Sequence, residues 1–221
     1  MSWALLLFSS TSIALVFIVV FSPVFFSPKI CRIDSGAPSP LNARSKHTVV
    51  LAGSMNPPTS GHMHLIRFLQ QRYKRVLVVV GYNANKTYTV SPVDRAQLLE
   101  KMCAQEWPQG NVSVHVVNEY IWRFALTHKA VAMFRGIRAW KVDGKAERQL
   151  HLLNQVGPLL LARRWPCPTI YLQAADSHVH ISSTLVRKRC LQATDESQAN
   201  SLLAGLVPHD FIPDVWRLYS R

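Results

Sequence analysis

A short apolar run rich in β-branched residues, His47-Thr-Val-Val-Leu-Ala52, stops at Gly53-Ser-Met-Asn-Pro-Pro-Thr-Ser-Gly-His62 and gives way to Met63-His-Leu-Ile-Arg-Phe-Leu-Gln-Gln-Arg72. The run has the length and residue types of a buried strand. Gly53, Asn56, Pro57 and Pro58 break the chain sharply. Leu65, Ile66 and Leu69 then recur at helical spacing. A strand, a Gly/Pro turn and a helix in that order build a phosphate site, because the free N–H groups and the dipole of the helix N-terminus face whatever lies above the strand. Gly61 lets the backbone approach a ligand closely. His62, in the first helical turn, aims a ring nitrogen at the same place.

The next strand is Arg75-Val-Leu-Val-Val-Val-Gly81, a continuous apolar run of the kind buried on both faces of a parallel sheet. With the first strand and helix it makes a right-handed βαβ unit. Tyr82-Asn-Ala-Asn-Lys-Thr87 follows at its carboxyl end, where ligands bind in open α/β sheets. Lys86 in that loop can hold a phosphate as a point charge. Ser91-Pro92 caps a helix running to Cys103. Asn111–Val117 alternates and predicts a third strand, and Tyr120–His128 a short helix. Ala130–Phe134 is a fourth strand ending in Arg135-Gly-Ile-Arg138, two arginines suited to bidentate phosphate contacts around a glycine that leaves room for a ligand or a turn. A long helix over Lys145–Arg164 and a fifth strand over Thr169–Gln173 come next. In His180-Ile-Ser-Ser-Thr-Leu-Val-Arg187 a serine caps another helix and forms a second phosphate cradle. Val215–Tyr219 closes the chain as a short helix. The fold class expected is α/β, a Rossmann-like parallel sheet flanked by helices.

The first 28 residues carry no charged side chain, and Trp3–Phe26 is almost wholly apolar. As a helix that stretch would be about 36 Å long, enough to cross a ~30 Å hydrocarbon core. It lacks the basic start and short core of a cleaved signal peptide. The expectation is one N-terminal transmembrane helix over 1–28, a basic linker over 29–46 and a catalytic domain over 47–221. Lys29, Arg32, Arg44 and Lys46 all follow the apolar stretch, which places the domain in the cytosol. A two-part organelle-import leader is the alternative.

Four cysteines (Cys31, Cys103, Cys167, Cys190) have no metal-binding or C-x-x-C spacing and read as free thiols, as in a reducing compartment. The formal charge of +13 invites a nucleic-acid reading, but no basic run interleaves with aromatics and no nucleic-acid motif appears. Handling several phosphate groups also calls for cations.

Thr59-Ser60-Gly61-His62 resembles the (His or Thr)-x-Gly-His signature of the nucleotidylyltransferase superfamily. Together with Asn83-Ala-Asn-Lys86, Phe134-Arg-Gly-Ile-Arg138 and Ile181-Ser-Ser-Thr184, it is similar to bacterial-type phosphopantetheine adenylyltransferases over roughly Val49–Tyr219. The resemblance implies transfer of AMP from ATP to 4′-phosphopantetheine, with release of dephospho-coenzyme A and pyrophosphate, Mg²⁺ accompanying ATP, and a homo-oligomer. It implies that Ser54, Met55, His62, Gly136, Ile137, Arg138, Glu147, Ile181, Ser182, Ser183 and Thr184 bind ATP. Ser54, Lys86, Ile121 and Arg135 would bind phosphopantetheine, and His62, Lys86 and Arg138 would act in catalysis. No residue is implied as a protein metal ligand. The chain departs from that pattern in two places. Lys141–Glu147 lacks the aromatics of the family's acidic-aromatic stretch, and His178 replaces its tryptophan. The Ile-Ser-Ser-Thr segment and Asn56-Pro57-Pro58 also resemble nicotinamide-mononucleotide adenylyltransferases. That activity, and a membrane-anchored nucleotide-binding protein without catalysis, are the alternatives.

Overall fold

The computed structural model describes residues 27–33, 45–81 and 88–220. Six strands, all parallel, form one sheet: β1 (Lys29–Arg32), β2 (Ser45–Gly53), β3 (Tyr73–Gly81), β4 (Val112–Val117), β5 (Ala132–Ile137) and β6 (Thr169–Gln173), in the spatial order β1-β6-β5-β2-β3-β4. Seven α-helices are described: α1 (Ser60–Gln70), α2 (Pro92–Glu106), α3 (Ile121–Thr127), α4 (Trp140–Gly157), α5 (Ser183–Gln192), α6 (Glu196–Leu203) and α7 (Ile212–Tyr219).

The central strands explain their own burial. Val49, Val50 and Leu51 of β2 and Val76–Val80 of β3 are all fully buried, as expected where helices cover both faces. One face packs on α1, α2 and the C-terminal helices through Leu65, Ile66, Leu69, Leu99, Val186 and Val215. The other packs on α3 through Trp122, Phe124 and Ala125.

The chain moves outward from β2 to β3 to β4, then returns to lay β5 on the opposite side of β2. Strand order therefore reverses between β2 and β5, the switch point where such sheets bind ligands at the carboxyl ends of their strands. The pairing itself opens there. Val49–Leu51 pairs with Ala132–Phe134 and no further. On their outer sides β2 stays paired to Gly53 with Val80, and β5 to Ile137 with Gln173. The last residues of the two central strands thus part and leave a crevice between their ends.

Two expectations change. Among the described residues no helix is long and apolar enough to cross a membrane, so the transmembrane element expected ahead of the domain is withdrawn; residues 1–26, on which it falls, lie outside the described residues. Lys29–Arg32, expected in a linker, is instead the edge strand beside β6. Backbone pairing with Ile170–Gln173 holds this short, mostly exposed segment, so no side-chain pattern announces it.

Candidate active site

The turn after β2 is held from behind by side chains of three helices. Arg95 Nη1 of α2 donates to the Ser54 carbonyl. Arg187 Nη1 of α5 donates to the Asn56 carbonyl, and Ser183 Oγ donates to that of Pro57 at 2.8 Å. Tyr219 Oη of α7 donates to Asn56 Oδ1 at 2.8 Å, a buried contact. Met55 takes a left-handed φ of 45°, a conformation that a residue with a Cβ adopts only when its surroundings impose it.

Helix α1 begins with a reciprocal cap. Thr59 is the N-cap and its Oγ1 accepts from the His62 N–H. In return the Thr59 N–H donates to His62 Nδ1 at 3.1 Å. The second half of a capping box is ordinarily made by Glu or Gln; an imidazole makes it here. Since Nδ1 accepts from a backbone N–H, the ring proton of the neutral histidine sits on Nε2. Burial lowers the pKa of His62 to about 4, so the ring is neutral at pH 7 and Nε2–H is a donor without a charge.

The N-terminus of α5 converges on the same place. Ser182 caps it, with Oγ accepting from Leu185 N–H at 3.1 Å. Ile181 lies 3.8 Å from where a Cβ on Gly61 would stand. Two positive helix ends and a neutral N–H donor therefore meet above β2. A Cβ on Gly61 would meet only ordinary contacts, with Thr59 Oγ1 at 3.6 Å and Ile181 at 3.8 Å. Gly136 differs. A Cβ there would sit 2.3 Å from Leu65 Cδ1, so that glycine lets α1 pack onto β5 rather than leaving room for a ligand.

At the end of β5 the two arginines arrive with carboxylate partners. Arg135 Nε donates to Glu147 Oε2, and Nη2 to Oε1 at 2.9 Å. Arg138 Nη2 donates to Asp143 Oδ1 at 2.6 Å, and its backbone N–H to Oδ2 at 2.8 Å. Asp143 and Glu147 stand one turn apart on α4. Burial pushes the Asp143 pKa up, but the side-chain and backbone N–H groups of Arg138 outweigh it and hold the carboxylate below its usual range. Arg138 is raised in turn by that hydrogen bond. Each pair occupies Nε and one Nη2–H, which leaves three of the five guanidinium N–H groups for another acceptor.

Ser54, Met55, His62 and Ile181–Thr184 are thus gathered around the β2 turn, while Gly136, Ile137 and Arg138 end the strand across the crevice. Ile121 opens α3, 3.9 Å from where a Cβ on Gly81 would stand. Lys86 lies outside the described residues. Sequence reading missed the clamp of Arg95, Arg187 and Tyr219. Arg95 had a signal: it precedes Leu98 and Leu99 by three and four residues, on the buried face of α2. The carboxylate partners of the arginines gave none, since nothing local joins Arg135 to Glu147 across the turn between β5 and α4.

The model of the cytidylyltransferase-like family matches residues 50–189. The chain belongs to the cytidylyltransferase-like family. Among curated proteins it is similar to the phosphopantetheine adenylyltransferase of Rubrobacter xylanophilus, at 30% identity over 172 residues that span 78% of this chain and 94% of that protein. It is also similar to that of Actinobacillus pleuropneumoniae serotype 3, at 31% over 162 residues, 72% and 96% of the two chains. Among solved structures it matches the nicotinic acid mononucleotide adenylyltransferase of Plasmodium falciparum complexed with NaAD, with a TM-score of 0.48, 13% identity and coverage of 79% and 96%. As a cytidylyltransferase-like protein the chain is an enzyme, a nucleotidyltransferase.

Proposed function

We propose that the enzyme transfers AMP from ATP to 4′-phosphopantetheine, giving dephospho-coenzyme A and pyrophosphate. The observation that carries this reading is the meeting of the α1 and α5 N-termini, with neutral His62 between the two, at the crevice that β5 faces with Arg135 and Arg138. An oxygen of the acceptor phosphate forms a bond to the α-phosphorus. The bond from that phosphorus to the bridging oxygen breaks, and its electron pair leaves with pyrophosphate. The nucleophile is already an anion, so no protein nucleophile is needed. The chain positions both substrates and stabilises developing charge.

In this reading the helix ends, His62 Nε2–H and the backbone at Ser54 and Met55 hold the ATP phosphates, with Gly136, Ile137 and Arg138 on the opposite side. Arg135 and Lys86 hold the acceptor phosphate, and Ile121 flanks the pantetheine arm. Glu147 orients Arg135 and so serves the acceptor phosphate rather than ATP. Mg²⁺ fits as an ion that arrives on ATP. Among the described residues no group of three or more His, Cys, Asp or Glu gathers to hold a metal, and Asp143 and Glu147 are turned to arginines. When bound, the ion supplies further neutralisation of phosphate charge.

The test is pyrophosphate release with ATP and each acceptor in turn. We expect kcat/KM for phosphopantetheine to exceed that for nicotinamide mononucleotide by at least about 10³, the scale on which a site rejects an acceptor that leaves its polar groups unpaired. A preference for nicotinamide mononucleotide would reassign the enzyme to dinucleotide synthesis.

A further inference from the structure

Arg95 is completely buried and forms no ion pair among the described residues. Its Nε donates to the Ser91 carbonyl at 3.3 Å and its Nη1 to that of Ser54. The guanidinium lies 4.4 Å from the centre of the Tyr88 ring. Nη2 is buried without a hydrogen-bond partner. An arginine in this state is expensive: a buried cation is tolerated when a carboxylate pairs with it, and replacing buried ions by apolar side chains is often neutral or stabilising. Burial pushes its pKa down, against partial opposition from Tyr219 and Tyr88. The fold therefore keeps a costly cation at a spot where a methionine would fit its stem.

What that cation does is visible in the peptide it holds. The Ser54–Met55 bond is trans and planar, so its C=O and N–H point in opposite directions. Arg95 draws the Ser54 carbonyl toward the interior, so the Met55 N–H points the opposite way, beside exposed Ser54, while the Met55 side chain itself is buried. Among the described residues the Met55 N–H has no hydrogen-bond partner, and Met55 holds a left-handed φ of 45°, a strained value that persists only where the surroundings impose it. We infer that Arg95 is a positioning residue for nucleotidyl transfer, holding the Ser54 carbonyl inward so that the Met55 N–H is fixed as a donor to a phosphate group of the nucleotide. The same guanidinium stacks on Tyr88, two positions beyond Lys86 in the sequence, and so ties the phosphate turn to the start of α2.

The inference rests on the nucleotidyl-transfer reading, and its test does not depend on which acceptor is right. In Arg95→Met the apolar stem stays and the donor is lost. We expect a Tm equal to or above wild type, kcat lower by about 10²–10³ as for loss of one preorganised donor, and KM for ATP within about threefold. Arg95→Lys, which keeps a charged donor, should recover at least about tenfold of that kcat. The assay uses whichever acceptor the wild-type enzyme turns over. Independently of turnover, the Met55 amide NMR signal of the wild-type protein should shift on adding ATP, and that shift should vanish in Arg95→Met. A structural role predicts the reverse pattern: lower Tm with near-normal kcat per folded molecule. That pattern would overturn the inference, as would a Met55 amide indifferent to ATP in the wild-type protein. If Arg95→Met does not fold, the wild-type spectrum and Arg95→Lys still decide.

Discussion

Thr59 and His62 cap each other: the threonine Oγ1 accepts from the histidine N–H, and the histidine Nδ1 accepts from the threonine N–H. One side chain therefore closes the helix end and fixes the tautomer that presents Nε2–H. The two jobs separate on mutation. His62→Gln can still accept from the Thr59 N–H, so its Tm should stay near wild type, whereas His62→Ala should have a lower Tm, since the loss of half a cap costs about 1 kcal/mol of stability. Both variants should lose about 10²–10³ in kcat. Thermal melts beside steady-state kinetics check this, and near-normal turnover in either folded variant would remove His62 from the site.

The pH dependence of the same residue has a definite sign. His62 has its pKa lowered to about 4 in the folded protein, against about 6.5 for an unfolded histidine. Between those values the unfolded chain binds the extra proton, so the folded state loses stability as pH falls from about 6.5 to about 4. Above that window the contribution is fully present. The His62 ring resonance should titrate at about 4, and kcat/KM should show no ionisation near 6.5 traceable to His62. A ring titrating near 6.5 contradicts both.

Gly61→Ala and Gly136→Ala should part company. At Gly61 a methyl meets only ordinary contacts, so the variant should fold with Tm unchanged or slightly raised and bind ATP at least about tenfold more weakly, since in the proposed reading the nucleotide approaches the backbone closely there. At Gly136 a methyl collides with Leu65 Cδ1. Overpacking there should cost about 1–3 kcal/mol, read as a lower midpoint in urea. Equal effects on stability at the two positions would mean that Gly61 is also a packing glycine.

Glu147→Gln should act on Arg135 rather than on ATP. The pair is largely buried, with side-chain exposures of 18% and 12%, and breaking such a pair costs roughly 3–5 kcal/mol because the remaining charge is left unmatched. The amide keeps one acceptor, so the loss should fall below that range. KM for the acceptor should rise by about tenfold while KM for ATP stays within about threefold. A rise confined to ATP would return Glu147 to the nucleotide side.

Where local chemistry decides the structure, it was legible. The run from Val49 to His62, the Ser91-Pro92 cap and a serine cap on the helix after Ile181 each carry their own hydrogen-bond or backbone constraint, and each appears, with Ser182 the serine that caps. Strand β5 runs on through Arg135, Gly136 and Ile137 because β6 pairs with them; from sequence the strand stops at Phe134 and the glycine leaves room for a ligand or a turn. The long helix starts earlier, at Trp140, and gives way to a π-helical turn at Pro158–Ala162. Of the residues that organise the site from behind, Arg95 alone carried a local signal. Arg187, Ser183 and Tyr219 meet the turn across 126 or more positions of sequence, and only tertiary packing brings them there.

The bond from Tyr219 to Asn56 spans 163 positions, and that separation sets an order of events during synthesis. The signature around His62 leaves the ribosome early, with β2 and β3 ready to pair, yet the carbonyls and side chain of its turn gain their donors only when α2, α5 and finally α7 have been made and packed. A nascent chain halted before Tyr219 would carry every phosphate-facing residue of the turn and still lack the buried hydroxyl that fastens Asn56. Competence for ATP should therefore appear abruptly, with the docking of the final helix, and not accumulate as the sheet grows.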